Sequence, residues 1–337
     1  MSRQLLAMLL VSSTAVACNI PVFRYALERW TADPVEVLVF HRGPLSKADQ
    51  QHVQNWQQLS GDRSRANLQV VLQDVSEFEN ADAGADAAAR RDIWLGLPEP
   101  SRKGLPCVVA RSRHGRGQIL NHWISPIAEA AERLADSPAR SELIRRLQKG
   151  DAVVWLLVRP PQAEPTKTAA LRTLLEDQCR KLPDVLELPE GIGLPGSELY
   201  SEIPLLLKFS VLELDGGDPQ EAWLVRQLSG VQPDAWAAGE PLAVPVFGRG
   251  RALEVIPASR TTSDLVHDLT QFLCSACSCQ VKEQNPGFDL LLHTNWNASL
   301  FGEDGELPPP PEPGTKAQDT RPKLVPIPAG REVRSEK

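Results

Sequence analysis

VEVLVFHRGPLSKADQQHVQNW (35–56) and DAVVWLLVRPPQAEPTKTAALRTLL (151–175) share one order of parts: an apolar run, a Pro-containing loop and a helical pattern, in register. Runs such as AVVWLLV (152–158) carry no polar alternation. They suit central strands covered on both faces, and such strands need helices on each side of a sheet. In the first copy Ser46 stands where it caps the helix and Asp49 follows at the third helical position, a capping box with Asp in place of Glu.

Working outward from the first copy, LQVVLQ (68–73) reads as a second strand and 85–95 as a helix. LPCVVA (105–110) and QIL (118–120) flank the turn Arg113-His114-Gly115-Arg116-Gly117, and helices follow at 126–134 and 138–147. In the second half the strands are 152–158, 205–214, 241–247 and 251–256, the last two around Gly248-Arg249-Gly250. Its helices are 166–179, 219–228 and 262–276. Each half therefore reads β-α-β-α-β-β-α, and both hairpins turn on Gly-Arg-Gly. The expected class is α/β, with units at 34–148 and 149–300 behind a leading helix within 18–33.

Thirty-six basic against 43 acidic side chains give a net charge of −7, which argues against a general nucleic-acid binder. The first 17 residues combine Arg3, the apolar stretch LLAMLLVSSTAVA and small residues at its end, the pattern of a signal peptide. Cys18 follows directly and makes the segment resemble a bacterial lipoprotein signal, although Ala15 stands where such signals usually carry Leu. That resemblance implies lipidation of Cys18; cleavage near Cys18 without a lipid and a first buried helix are the other readings. The expected location is periplasmic, or lipid-anchored at the cell envelope. Residues 301–337, with Leu307-Pro308-Pro309-Pro310-Pro311-Glu312-Pro313, predict a disordered tail.

The element order resembles the thioredoxin fold, in which helices cover a mixed sheet whose last two strands form a hairpin. A redox-active member of that family carries Cys-x-x-Cys at the N-terminus of the helix after its first strand, where the helix dipole stabilises a thiolate. Here the two matching loops are His41-Arg42-Gly43-Pro44-Leu45-Ser46 and Arg159-Pro160-Pro161-Gln162-Ala163-Glu164, with no cysteine in either. The resemblance thus implies the fold and disfavours dithiol oxidoreductase activity. It also implies a cis-proline at Pro106, before the third strand, with Cys107 either beside that edge or simply buried.

Cys274-Ser275-Ala276-Cys277-Ser278-Cys279 is the strongest chemical feature. Cys274 and Cys277 share a helix face and Cys279 follows, but the helix C-terminus opposes thiolate formation. A structural disulfide to Cys179 or Cys18, thiol exchange, and Zn²⁺ or Cu⁺ binding all fit this spacing, the last with a fourth donor among His293, Cys179, His267 and Cys18. No other cofactor is implied. His41 and Arg42, at a strand's carboxyl end, form a candidate anion loop or a solvated turn. Arg249 and Arg251 read as a basic hairpin turn, and Asn295-Trp296-Asn297 either as a terminal strand with an exposed aromatic patch or as a tryptophan sealing the second unit. The functional expectation is an exported, non-catalytic interaction or scaffold protein with an envelope partner; the alternative is thiol exchange or soft-metal handling. The oligomeric state is not legible.

Overall fold

The computed structural model describes residues 19–60, 65–79, 85–114, 118–124, 126–277 and 281–302. The expected signal peptide, Cys18, Cys279 and the tail from 303 onward lie outside the described residues.

The chain runs α1 (Val22–Arg29), β1 (Val35–His41), α2 (Lys47–Leu59), β2 (Leu68–Asp74), α3 (Ala85–Gly96), α4 (Glu99–Lys103), β3 (Cys107–His114), β4 (Gln118–Ile124), α5 (Ile127–Leu134) and α6 (Pro138–Gln148). It continues as β5 (Val153–Arg159), α7 (Pro165–Val185), β6 (Phe209–Asp215), α8 (Ala222–Ser229), α9 (Pro233–Ala237), β7 (Leu242–Phe247), β8 (Arg251–Ala252), β9 (Ile256–Pro257), α10 (Ser263–Cys274), β10 (Phe288–Asp289) and α11 (Trp296–Phe301). The protein is mixed α/β with two sheets. In the first, the order is β2-β1-β3-β4, with β1 parallel to β2 and antiparallel to β3. The second runs β6-β5-β7-β8 with the same relative directions, and β10 is added beyond β8.

Unpatterned apolar strands are buried on both faces, as the pleat requires. Val153, Trp155 and Leu157 of β5 point into one core with α1, α7 and α10. Val154, Leu156 and Val158 point into another with α6, α8 and α11. In β1, Val35, Val37 and Val39 join Val53 and Trp56 of α2 and Ile127 of α5, while Leu38 and Phe40 meet Val75, Phe78 and Leu97 in a smaller cluster. Ser46 caps α2 by accepting from the Asp49 amide (3.1 Å). The carboxylate of Asp49 accepts from the Ser46 hydroxyl (2.7 Å), so half of the expected capping box is present.

Several expectations are corrected. The run 251–256 is not one strand: Arg251 and Ala252 pair with Phe247 and Val246, whereas Ile256 and Pro257 pair with Ala243 and Leu242. The register slips by one residue between them, a bulge opposite Pro245, which has no amide hydrogen for the ladder. The sixth strand begins at Phe209 rather than 205, and α7 runs through Pro183 to Val185. Residues 295–297 form no strand: Trp296 is buried in α11 and seals the second unit's core.

Helix α6, assigned from sequence to the first unit, buries Leu143, Ile144 and Leu147 against the second sheet. The leading helix α1 also packs on the second unit, through Val22, Phe23 and Ala26, with Ile20 just before it. Its backbone is tied there as well, because the Val22 amide donates to Ser275 O (3.0 Å) and the Cys277 amide to Ile20 O (2.9 Å). The two units meet where Trp223 of α8 and Leu291 enter the first unit's core. Asn67 donates to Leu290 O (3.0 Å) and accepts from the Leu292 amide (2.9 Å), tying the segment after β10 to the first unit through its side chain.

Candidate functional site

The two loops that feed α2 and α7 leave the carboxyl ends of β1 and β5, and neither contains a sulfur atom. In the first, the Gly43 amide donates to Asp74 Oδ2 (2.9 Å) and the ring of His41 bonds Gly43 O through Nδ1 (2.7 Å). Gly43 has φ of +66°, which its lack of Cβ permits. Hydrogen bonds from Ser76 hold the Asp74 carboxyl down at about 2. His41 is therefore engaged in closing its own turn, and Arg42 is exposed beside it. In the second loop, Arg159 pairs with Asp215 (2.5 Å) and Lys167 with Glu164 (3.1 Å).

The leucine before Pro106 is joined to it by a cis peptide bond, directly ahead of β3. Cys107 is 1% exposed in the small first-unit core, and burial pushes its thiol up to about 11. Cys179 of α7 and Cys274 at the end of α10 share the core beneath α1, both as unpaired thiols. Burial pushes each up to about 12, helped at Cys179 by Glu176 and Asp151. Cys277 is buried in the same core. A thiol held this far above neutrality is protonated and a poor nucleophile. Among the described residues no group of three or more His, Cys, Asp or Glu side chains is placed to hold a metal ion.

Of the expected fourth donors, Cys179 shares this core and the two histidines do not. His267 is on α10 beside Asp268. His293 lies toward α6, and burial together with the Arg140 charge drives its ring down to about 4. The structure thus brings Cys179, Cys274 and Cys277 into one core and leaves His293 apart from it.

Arg249 and Arg251 do not form a solvated basic turn. Both are nearly buried. Arg249 donates to Leu27 O (2.7 Å) and Glu28 O (3.1 Å), satisfying carbonyls at the end of α1 with a positive charge where the helix dipole favours one. Gly248 and Gly250 flank it because a Cβ at Gly248 would stand 2.7 Å from the Ala26 Cβ, and one at Gly250 2.2 Å from Leu292 Cδ1. Arg251 pairs with Asp289 (3.2 Å), which also bonds Lys282 and accepts from the Asp33 amide (2.6 Å). On α1 itself, Arg24 pairs with Glu28 (2.8 Å) and donates to Ile203 O (2.6 Å) and Ser201 O (2.5 Å). Glu28 in turn accepts from the amides of Tyr200 (3.1 Å) and Ser201 (3.0 Å).

Sequence reasoning missed this buried ionic seam. Its one signal was Arg24 and Glu28 at i,i+4 inside the apolar pattern VFRYALERW, which reads equally as a solvated helix face.

Compared with family models, curated proteins and solved structures, the chain matches none. No helix among the described residues is long and apolar enough to cross a membrane.

Proposed function

We propose that this chain is an exported, non-catalytic interaction protein of the cell envelope, built from two divergent thioredoxin-like units. The reading rests on one observation above all: two sheets share the order 2-1-3-4, and neither helix that follows a first strand begins with a thiol. One fold hosts many functions, and the empty nucleophile positions favour binding through the surface over dithiol chemistry in this reading.

The export reading draws on the sequence before residue 19. Asn19 donates from its amide to the Ser197 hydroxyl (3.0 Å), so a membrane tether attached to Cys18 would leave from the second unit. Thiol exchange through Cys274, Cys277 and Cys279 is the weaker reading, since burial keeps the Cys274 thiol protonated, and soft-metal handling through the same residues is kept as its alternative. Insulin reduction by the purified protein with dithiothreitol is the test. The expected rate equals that of dithiothreitol alone; a strong acceleration that Cys274→Ser abolishes would overturn the reading.

A further inference from the structure

Helix α7 starts at the carboxyl end of β5 and packs back along the second sheet towards its amino end. β6 then begins beside the start of β5, since the two are parallel with Phe209 opposite Val153. The segment 186–208 that joins them therefore lies at the amino end of this sheet. Asn19, where the described residues begin, is fastened to the same segment, its amide donating to Ser197 Oγ (3.0 Å). Cys18 is one peptide link further on, about 3.8 Å between Cα atoms, and the apolar stretch LLAMLLVSSTAVA directly precedes it. A tether at Cys18 thus holds this end of the second unit against the lipid.

The same end turns apolar side chains outward. Among the described residues the two most exposed large apolar side chains are Val185, at the end of α7, and Leu194, 62% and 59% exposed. Leu194 stands in a turn closed by its own backbone: the Leu194 amide donates to Gly191 O (3.2 Å), the Gly193 amide to Ser197 O (2.8 Å) and the Ser197 amide to Leu194 O (2.8 Å). Its side chain adjoins the tethered residue, because a Cβ on Gly191 would lie 2.9 Å from Asn19 Nδ2 and 3.6 Å from Leu194 Cδ1. We propose that this end of the second unit is a membrane-contacting surface, with Leu194 and Val185 entering the interfacial layer of the bilayer. The occupant is lipid because the chain that adjoins this surface is the apolar leader and its cysteine, and apolar side chains held at a bilayer gain by leaving water. Residues 186–207 carry four glutamates and neither Lys nor Arg, so the surface suits neutral headgroups rather than anionic ones. The proposal rests on the export and tether reading.

The test places a polarity-sensitive dye on the full chain, purified from the membranes of expressing cells and reconstituted into phosphatidylcholine vesicles. Leu194→Cys is labelled in a Cys279→Ser background, and Leu95→Cys, an exposed position on α3 of the first unit, is the control. The dye at 194 should shift to the blue on reconstitution, lose emission to nitroxide-bearing lipid and be shielded from iodide in the water; the dye at 95 should show none of these changes. Intact mass of the same protein tests the tether separately. A chain that carries lipid on Cys18 while its dye at 194 remains open to iodide would overturn the inference and leave the tether standing, as would equal lipid quenching at 194 and 95. A mature chain with neither lipid nor leader would overturn the tether reading and the inference with it.

Discussion

The second unit is the better-built of two sheets with the same strand order. Its first strand, β5, buries every residue from Val153 to Val158 between two large cores. The first unit's β1 has one comparable core, and its other face rests on a small cluster under α3, a helix with no fully buried residue. Three segments account for the difference. Helices α1 and α6, which precede β5 in the chain, and α11 beyond β10 all pack on the second sheet. One topology therefore carries cores of different extent, according to how much of the remaining chain each sheet recruits.

Breaking the ionic seam under α1 should produce the largest effect. Glu28 is fully buried between Arg24, Arg29 and two loop amides. Glu28→Ala leaves the Arg24 charge buried without its carboxylate, and a loss of about 3–5 kcal/mol is expected in urea unfolding followed by tryptophan fluorescence. A loss below about 1 kcal/mol would mean that α1 is a dispensable leader rather than part of the second unit.

A smaller effect is expected at the junction between the units, where His293 faces Arg140 and Asp136. Its ring ionises near 4 in the folded chain and near the ordinary 6.5 when unfolded, so protons favour the unfolded state. Stability from this group is complete above pH 6.5 and falls through the interval down to about 4. The expected loss between pH 7 and pH 4 is about 3 kcal/mol, and His293→Gln should flatten that part of the profile. An unchanged profile in the variant would place the acid sensitivity elsewhere.

The strands were legible because unbroken apolar runs such as VEVLVF and AVVWLLV have few alternatives to burial on both faces. The cap at Ser46 was legible because capping is local in sequence. The bulge at Leu253–Val255 was hidden, since it depends on Pro245 across the ladder rather than on residues beside it. The assignment of α1 and α6 to the second unit was hidden for a similar reason: amphipathic spacing shows that a helix has an apolar face but not which sheet covers it. Arg249 and Arg251 misled in the same way, as a Gly-Arg-Gly turn reads as exposed until α1 and Asp289 arrive from distant sequence. The absence of cysteine from both helix starts was plain in the sequence. The burial of Cys107 was legible from its apolar neighbours Leu105, Val108 and Val109, whereas that of Cys179 and Cys274 needed the packing.

Alkylation of the folded protein, read by intact mass at neutral pH, tests most directly whether these sulfurs are inert. Cys107, Cys179 and Cys274 should remain unmodified until denaturant is added, because each thiol is buried and raised to about 11 or 12. Labelling of Cys274 in the native protein at the rate of an exposed thiol would contradict the account and return the cysteine cluster to the centre of the protein's chemistry.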